Sequence, residues 1–169
     1  NAYGHGSIKV VEFLRENGVK FFAVSLLEEA LEIRRIYSDI SILIMGVLDY
    51  EGFEVCSEFN LTPTVSNHDQ ILDLLKMKSK LNIHVKIDTG MNRLGFAENE
   101  IPALIAYLSS TSSFLIQSVF SHLAASEDPA SDPFTFQQFS IYQTVTNQLS
   151  NQLNCSFLKH IANSAAALR

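Results

Sequence analysis

The feature that most constrains the fold is a regular alternation of short apolar segments and amphipathic segments along the chain. Apolar runs predict strands, and between them apolar residues recur at the i, i+3, i+4 and i+7 spacing of a helix. The predicted strands are 21–24, 40–45, 64–65, 83–88, 115–123 and 157–162. Strands that are apolar along most of their length and are separated by helices are typical of a parallel sheet covered by helices.

Two architectures contain such a sheet, a (β/α)8 TIM-type barrel and an open doubly wound sheet. No Gly-x-Gly-x-x-Gly pattern follows a predicted strand, which disfavours a dinucleotide-binding sheet. Six strands, with a seventh implied before Asn1, favour the α/β barrel, which needs ~250 residues when complete. We therefore expect residues 1–169 to be part of a single barrel domain whose first and last strands are missing.

The longest predicted helix begins at Asp132-Pro133, a capping residue followed by proline at the first helical position. It has Phe136, Phe139 and Tyr142 inside. Another helix is expected to open at Asn163, directly after the last strand.

Composition narrows the class of partner. The chain has 169 residues, 47% of them hydrophobic, which suffices for one sizeable core. A net charge of -6 with scattered Lys and Arg argues against nucleic acid, and no apolar run approaches the ~18 residues of a membrane span. Cys56 and Cys155 lack metal-binding spacing and are interpreted as reduced thiols of a cytoplasmic protein. A small-molecule site is the expected default.

Polar residues interrupt the strand pattern at 83–88. Alternation directs Ile83, Val85 and Ile87 toward covering helices, so that His84, Lys86 and Asp88 face the barrel interior. A buried lysine must be paired or lose its charge. Both a structural Lys86–Asp88 ion pair and a functional lysine fit this pattern.

Three further features lie at the carboxyl ends of strands, where barrel active sites occur. The loop 89–96 contains two glycines and can present Arg93 to an anionic substrate or a cofactor oxygen. His122 ends the next strand, although a lone histidine is more often a core residue. Ser164, at a helix start, offers free N–H groups to a phosphate-bearing cofactor, as does Ser7 behind Gly6. The five histidines show no close ligand spacing, so no metal site is expected.

Four ordered motifs carry a resemblance to a known family. NAYGHG at 1–6, KIDTGMNRLGF at 86–96, SH at 121–122 and HIANSAAALR at 160–169 resemble the alanine racemase family, in matching order across the chain. The resemblance implies a pyridoxal 5'-phosphate (PLP) enzyme that interconverts L-alanine and D-alanine for peptidoglycan. It also implies an N-terminal barrel, a C-terminal β domain and a head-to-tail homodimer.

The resemblance assigns one group of residues to the cofactor. Tyr3 and Ser164 would hold the phosphate, with Asn163 beside them. His122 would pack against the pyridine ring, and His160 would belong to the hydrogen-bond network on the pyridine side.

A second group would serve the reacting end of the site. Arg93 would contact the phenolic oxygen of the cofactor and the carboxylate region of the substrate, with Met91 also at the substrate. Lys86 would be the lysine that is often carbamylated by carbon dioxide and then orients Arg93. Asn92 stands where the family most often has glycine, which should alter the loop slightly.

The resemblance places both catalytic bases outside residues 1–169. One is a PLP-binding lysine two residues before Asn1, and the other is a tyrosine in the C-terminal β domain of the partner subunit. We therefore expect a fragment, without the β domain, that is inactive alone. Three alternatives stay open: a racemase of serine or a larger amino acid, a non-catalytic PLP-binding barrel of cofactor homeostasis, and a purely structural α/β domain.

Overall fold

A computed structural model describes residues 1–111 and 113–169 and contains a single sheet of six parallel strands. The strands are β1 (Phe21–Val24), β2 (Ser41–Ile44), β3 (Thr62–Val65), β4 (Leu81–Lys86), β5 (Phe114–Phe120) and β6 (Leu158–His160). The helices are α1 (Ser7–Glu16), α2 (Leu27–Arg34), α3 (Tyr50–Glu58), α4 (His68–Lys76), α5 (Ile101–Ser109), α6 (Asp132–Leu153) and α7 (Ser164–Leu168).

The strands stand in the sheet in the order of the sequence, from β1 to β6, and every neighbouring pair is parallel. The sheet curls into half of a barrel. Between β4 and β5 the register shifts at Ile83 and His84, and such a bulge strengthens the local twist. The expected incomplete α/β barrel is confirmed.

The two faces of β4 differ as the alternating pattern predicts. Ile83, Val85 and Ile87 are fully buried and belong to the continuous apolar core between sheet and helices. His84 and Lys86 lie on the opposite face, toward the barrel interior. Within the part of the chain that the structure describes, no helix combines the length and the apolar character needed to cross a membrane.

Helix α6 begins at Asp132 with Pro133 in its first turn, as expected, and Tyr142 is buried. Its hydroxyl donates a hydrogen bond to the Val119 carbonyl at 2.6 Å. The prediction that Phe136 and Phe139 also lie inside is wrong, because these rings are 69% and 42% exposed.

The reason is helical phase. The buried residues of α6 form a stripe of Gln138, Tyr142, Val145, Thr146 and Leu149. The 3.6-residue period turns position 136 away from this stripe and leaves position 139 at its edge, on the side of Thr146.

Three strands, β4, β5 and β6, end two or three residues earlier than the sequence predicts. β4 ends at Lys86, so Asp88 lies beyond it, and β5 ends at Phe120, so Ser121 and His122 follow it directly. Because parallel strands share one carboxyl edge, these residues meet at the same rim of the half-barrel.

Candidate active site at the carboxyl rim of the barrel

A small cavity of about 80 Å³ opens at the carboxyl ends of β3, β4 and β5. It brings together four residues that the sequence analysis singled out: Lys86, Met91, Arg93 and His122. The rest of its wall is mixed: Met45, Ile87, Leu94 and Phe120 are apolar, whereas Thr64, Asp88 and Ser121 are polar. The cavity, which we call the rim cavity, therefore joins two cationic groups, one carboxylate and an imidazole.

Lys86 is half-buried, and its Nζ lies 4.7 Å from the centroid of the Phe120 ring. Burial, with the nearby positive charge of Arg93, lowers the pKa of Lys86 to about 8, and Asp88 opposes that shift. Among the described residues Lys86 forms no ion pair. The expected alternative of a structural Lys86–Asp88 pair is therefore wrong, and Lys86 is an amine that loses its proton more readily than an ordinary lysine.

The carboxylate of Asp88 turns toward the backbone of the following loop. Its Oδ1 accepts hydrogen bonds from the N–H groups of Gly90 at 2.9 Å and Asn92 at 3.1 Å. Asn92 adopts a left-handed conformation with φ 55°, which asparagine tolerates better than most residues. Asparagine is therefore compatible with the backbone conformation at this position, where the resemblance expects glycine.

Residues 88–96, which we call the Arg93 loop, are closed at their base by the backbone. The Phe96 N–H donates to the Lys86 carbonyl and the Asp88 N–H donates to the Phe96 carbonyl, each at 2.9 Å. Gly95 makes this approach possible, because its φ is +120° and a Cβ there would lie 2.6 Å from the Asp88 nitrogen. Arg93 is thus an exposed side chain on a fixed backbone.

His122 is positioned by a glutamine that sequence reasoning missed. Gln138 is completely buried, and its Nε2 donates to the His122 carbonyl at 3.1 Å and to Thr89 Oγ1 at 3.2 Å. Its Oε1 accepts from the Ala124 N–H at 3.0 Å. Gln138 therefore ties the start of the Arg93 loop to His122, and a polar residue on the buried stripe of a helix is the signal that could have revealed it.

The surroundings of the His122 imidazole favour its neutral form. Partial burial lowers its pKa, and the positive charges of Lys86 and Arg93 lower it further. His122 thus contributes to the rim cavity a flat ring that protonates less readily than an ordinary histidine.

His160 belongs to a second polar group, on the inner face of the sheet, and is itself exposed on the edge strand β6. Ser118 Oγ hydrogen-bonds both His84 Nδ1 and His160 Nε2, the latter at 3.1 Å. The His160 ring stacks on Phe120 with centroids 5.0 Å apart. Burial lowers the pKa of His84 to about 4 and also lowers that of His160. Because a hydroxyl carries one hydrogen, Ser118 can donate to only one of the two imidazoles.

Asn163 caps helix α7 and leaves Ser164 exposed at its first position. Asn163 Oδ1 accepts from the Ala166 N–H at 3.0 Å and from the Ser126 hydroxyl at 2.8 Å, while Nδ2 donates to the Leu123 carbonyl. The side chain of Asn163 is thus committed to holding this turn.

Tyr3 lies apart from the rim cavity. It sits in a single turn with φ 55°, and its side chain is fully exposed. Ser7, which follows Gly6, is buried, and its N–H donates to Asn1 Oδ1 at 3.3 Å. In the described part of the chain, no group of three His, Cys, Asp or Glu side chains is arranged to hold a metal ion.

The fold and the rim cavity define a parallel α/β barrel with a cationic site at its carboxyl rim. The family model for the N-terminal domain of alanine racemase matches residues 1–169, and this chain belongs to that family.

Relatives and solved structures agree with the assignment. The chain is 35% identical over 175 residues to the alanine racemase of Anoxybacillus flavithermus and 34% identical over 173 residues to that of Clostridium tetani. These alignments cover 100% and 99% of the chain, but 44% of each relative. Among structures, the racemase of Oenococcus oeni superposes with a TM-score of 0.82 at 32% identity, covering 99% of this chain and 48% of that one. The chain therefore spans less than half the length of the relatives it matches.

Proposed function

We propose that this chain is part of the cofactor-binding barrel of a PLP-dependent racemase that interconverts L-alanine and D-alanine. The observation that carries the proposal is the pairing of Lys86, with its lowered pKa, and Arg93 in one cavity. Residues 1–169 would lie within a single barrel domain. The full-length protein would act in the cytoplasm as a homodimer and would supply D-alanine for peptidoglycan.

The donors at the rim suit PLP, which presents anionic oxygens around an aromatic ring. Lys86 and Arg93 are positively charged when protonated and outnumber the single carboxylate at the cavity, Asp88, whose Oδ1 accepts two loop amides. His122 offers a flat ring for stacking. The exposed hydroxyls of Tyr3 and Ser164 are available to the phosphate.

When bound, PLP would acidify the Cα–H of the amino acid and accept the electron pair that remains. Arg93 would bind the phenolic oxygen and orient the substrate carboxylate, with Met91 against the substrate. Asn163 would fix the turn that presents Ser164, and His160 would act through its hydrogen bond to Ser118. The groups that remove and return the proton are expected outside residues 1–169, so the tests use the full-length protein.

Lys86 would orient Arg93 after reaction with carbon dioxide. The amine lone pair forms an N–C bond, one C=O electron pair moves onto oxygen, and an N–H proton leaves to solvent. The product is a carbamate anion that can pair with the Arg93 guanidinium. A lowered pKa favours this step because only the neutral amine is nucleophilic.

PLP titration of the full-length protein tests the cofactor. Binding should change the cofactor's absorbance saturably, and D-alanine should then be converted to L-alanine. Bound cofactor with no conversion of any amino acid would point instead to the non-catalytic barrel, and conversion of serine but not alanine would correct the substrate.

Arg93→Ala tests the site. We expect turnover to fall by about 100-fold or more, since misplacing a reacting group by a small distance has effects of that size. The unfolding midpoint should hardly change, because Arg93 is exposed. Arg35→Ala, an exposed arginine at the end of α2, is the matched control. Unchanged turnover in Arg93→Ala would remove Arg93 from the site.

A further inference from the structure

The rim cavity contains a buried hydroxyl without a hydrogen-bond partner. Thr64, on β3, is 2% exposed, and its Oγ1 has no partner among the residues that the structure describes. Leaving such a group unsatisfied destabilises the folded state. Thr64 lines the same cavity as Lys86 and Arg93. The unsatisfied group therefore lies at a place where a ligand can reach it.

Thr62, on the same strand, is a buried threonine whose hydroxyl does have a hydrogen-bond partner. Thr62 lies two residues earlier, so alternation puts it on the same face, and its hydroxyl donates to Gln117 Oε1 at 2.9 Å. Thr62 is also buried, at 6% exposed. Thr62 thus has a protein acceptor and lines a different cavity, whereas Thr64 has no acceptor in the described part of the chain.

None of the other polar groups at the cavity reaches Thr64 Oγ1 among the residues that the structure describes. Asp88 Oδ1 accepts the loop amides, its Oδ2 does not come within hydrogen-bonding distance of Thr64, and Ser121 Oγ donates to the Ile87 carbonyl at 2.8 Å. Lys86 and Arg93 bring donors and positive charge. The cavity consequently has a surplus of donors, and the ligand that complements it is an acceptor with negative charge.

The size of the cavity selects a small ligand. Its volume of about 80 Å³ holds only a few non-hydrogen atoms beside Lys86, Arg93 and Thr64. A carboxylate-type anion has two acceptor oxygens in one plane and matches two or three converging donors.

We propose that Thr64 is a binding residue for a carboxylate-type anion held between Lys86 and Arg93, to which its hydroxyl donates a hydrogen bond. The anion is either a carbamate on Lys86 or a free bicarbonate. The carbamate form rests on the proposed function, whereas the anion site itself does not. Thr64 would then fix the anion from the β3 side while Arg93 binds it from the loop side.

The test is 13C NMR of the full-length protein, with 15N-labelled lysine, titrated with 13C-bicarbonate in equilibrium with carbon dioxide. A bound signal split by 15N identifies the carbamate, and an unsplit bound signal identifies free bicarbonate. In Thr64→Val the bicarbonate concentration at half-saturation, the midpoint of the titration, should rise by about 10-fold to 100-fold, which is the effect of losing one hydrogen bond to a charged group. Thr64→Ser, which keeps the hydroxyl, should bind nearly as the unaltered protein does.

Thr62→Val is the matched control. It should unfold more easily, because Gln117 loses its partner, yet bind the anion with an unchanged midpoint. Thr64→Val should be no less stable than the unaltered protein when bicarbonate and carbon dioxide are removed. The proposal is overturned if the unaltered protein shows no bound signal, if Thr64→Val keeps the midpoint, or if Thr62→Val shifts it equally.

Racemisation and PLP absorbance, measured on the same samples, separate the two proposals. Anion binding that depends on Thr64 in a protein without racemase activity would uphold the site and refute the proposed function. Racemase activity together with an anion signal that does not change in Thr64→Val would uphold the proposed function and refute the Thr64 site.

Discussion

The Arg93 loop and the N-terminal segment, residues 1–6, both carry residues of the family motifs, but they are held in different ways. Backbone hydrogen bonds close the Arg93 loop at its base, and Asp88 and Gln138 brace it from within. In the N-terminal segment both glycines have positive φ, a Cβ added at either would meet no other atom within 4 Å, and Tyr3 is fully exposed. The Arg93 loop is thus fixed by contacts with the barrel, whereas the N-terminal segment is held mainly by its own backbone hydrogen bonds and leaves the Tyr3 side chain in solvent.

Adding one methyl group to each region should give the largest difference between them. Gly95→Ala should lower the free energy of unfolding by roughly 3–5 kcal/mol, from backbone strain and a clash with the Asp88 nitrogen. Gly6→Ala, which also has positive φ but open space around it, should lose about 1–2 kcal/mol. Urea unfolding of the full-length protein measures both. Equal losses would mean that the Arg93 loop is no more tightly built than the N-terminal segment.

The second contrast is electrostatic. Asp88→Asn should lower the pKa of Lys86 further below about 8, because it removes the negative charge that opposes the shift. Arg93→Gln should raise that pKa, because it removes a positive charge. His5→Gln, in the N-terminal segment, should leave it unchanged. The pKa can be followed by NMR of 15N-labelled lysine, and shifts of the same sign in both loop variants would contradict the assigned causes.

The smallest effect is expected at Tyr3. Tyr3→Phe should change the free energy of unfolding by less than about 0.5 kcal/mol, since the side chain is exposed. PLP affinity should nevertheless fall by about 10-fold if the hydroxyl binds the phosphate. Calorimetric titration with PLP and thermal unfolding give the two values. A large loss of stability would show that the N-terminal segment is packed rather than open.

Much of the fold could be predicted because apolar periodicity reports which face of each element is buried. The alternation in β4 indicated the two faces of that strand correctly. It could not reveal that Lys86 and Asp88 are not paired with each other, because the partners of Asp88 are backbone amides made available by the bend of the loop. The prediction that Phe136 is buried was wrong, because the position of a residue around the helix decides its burial and its hydrophobicity does not.

The candidate site was only partly visible in the sequence. Charged and aromatic residues at strand ends stand out, so Lys86, Arg93 and His122 could be chosen. Thr64 and Gln138 could not, because threonine and glutamine are common on surfaces and only the structure shows that both are buried. Residues that brace or complete a site depend on long-range packing, which a single sequence does not report.

The order of the strands in the sheet has a consequence for how the chain folds. Each strand pairs with its neighbours in the sequence, so that 20 residues separate Phe21 from its partner Ser41, and 40 separate Ser118 from Leu158. Doubling the length of a closed loop costs only about 0.6 kcal/mol. No strand pair therefore has a large entropic advantage, and we expect folding to start at several pairs and to spread along the sheet in both directions.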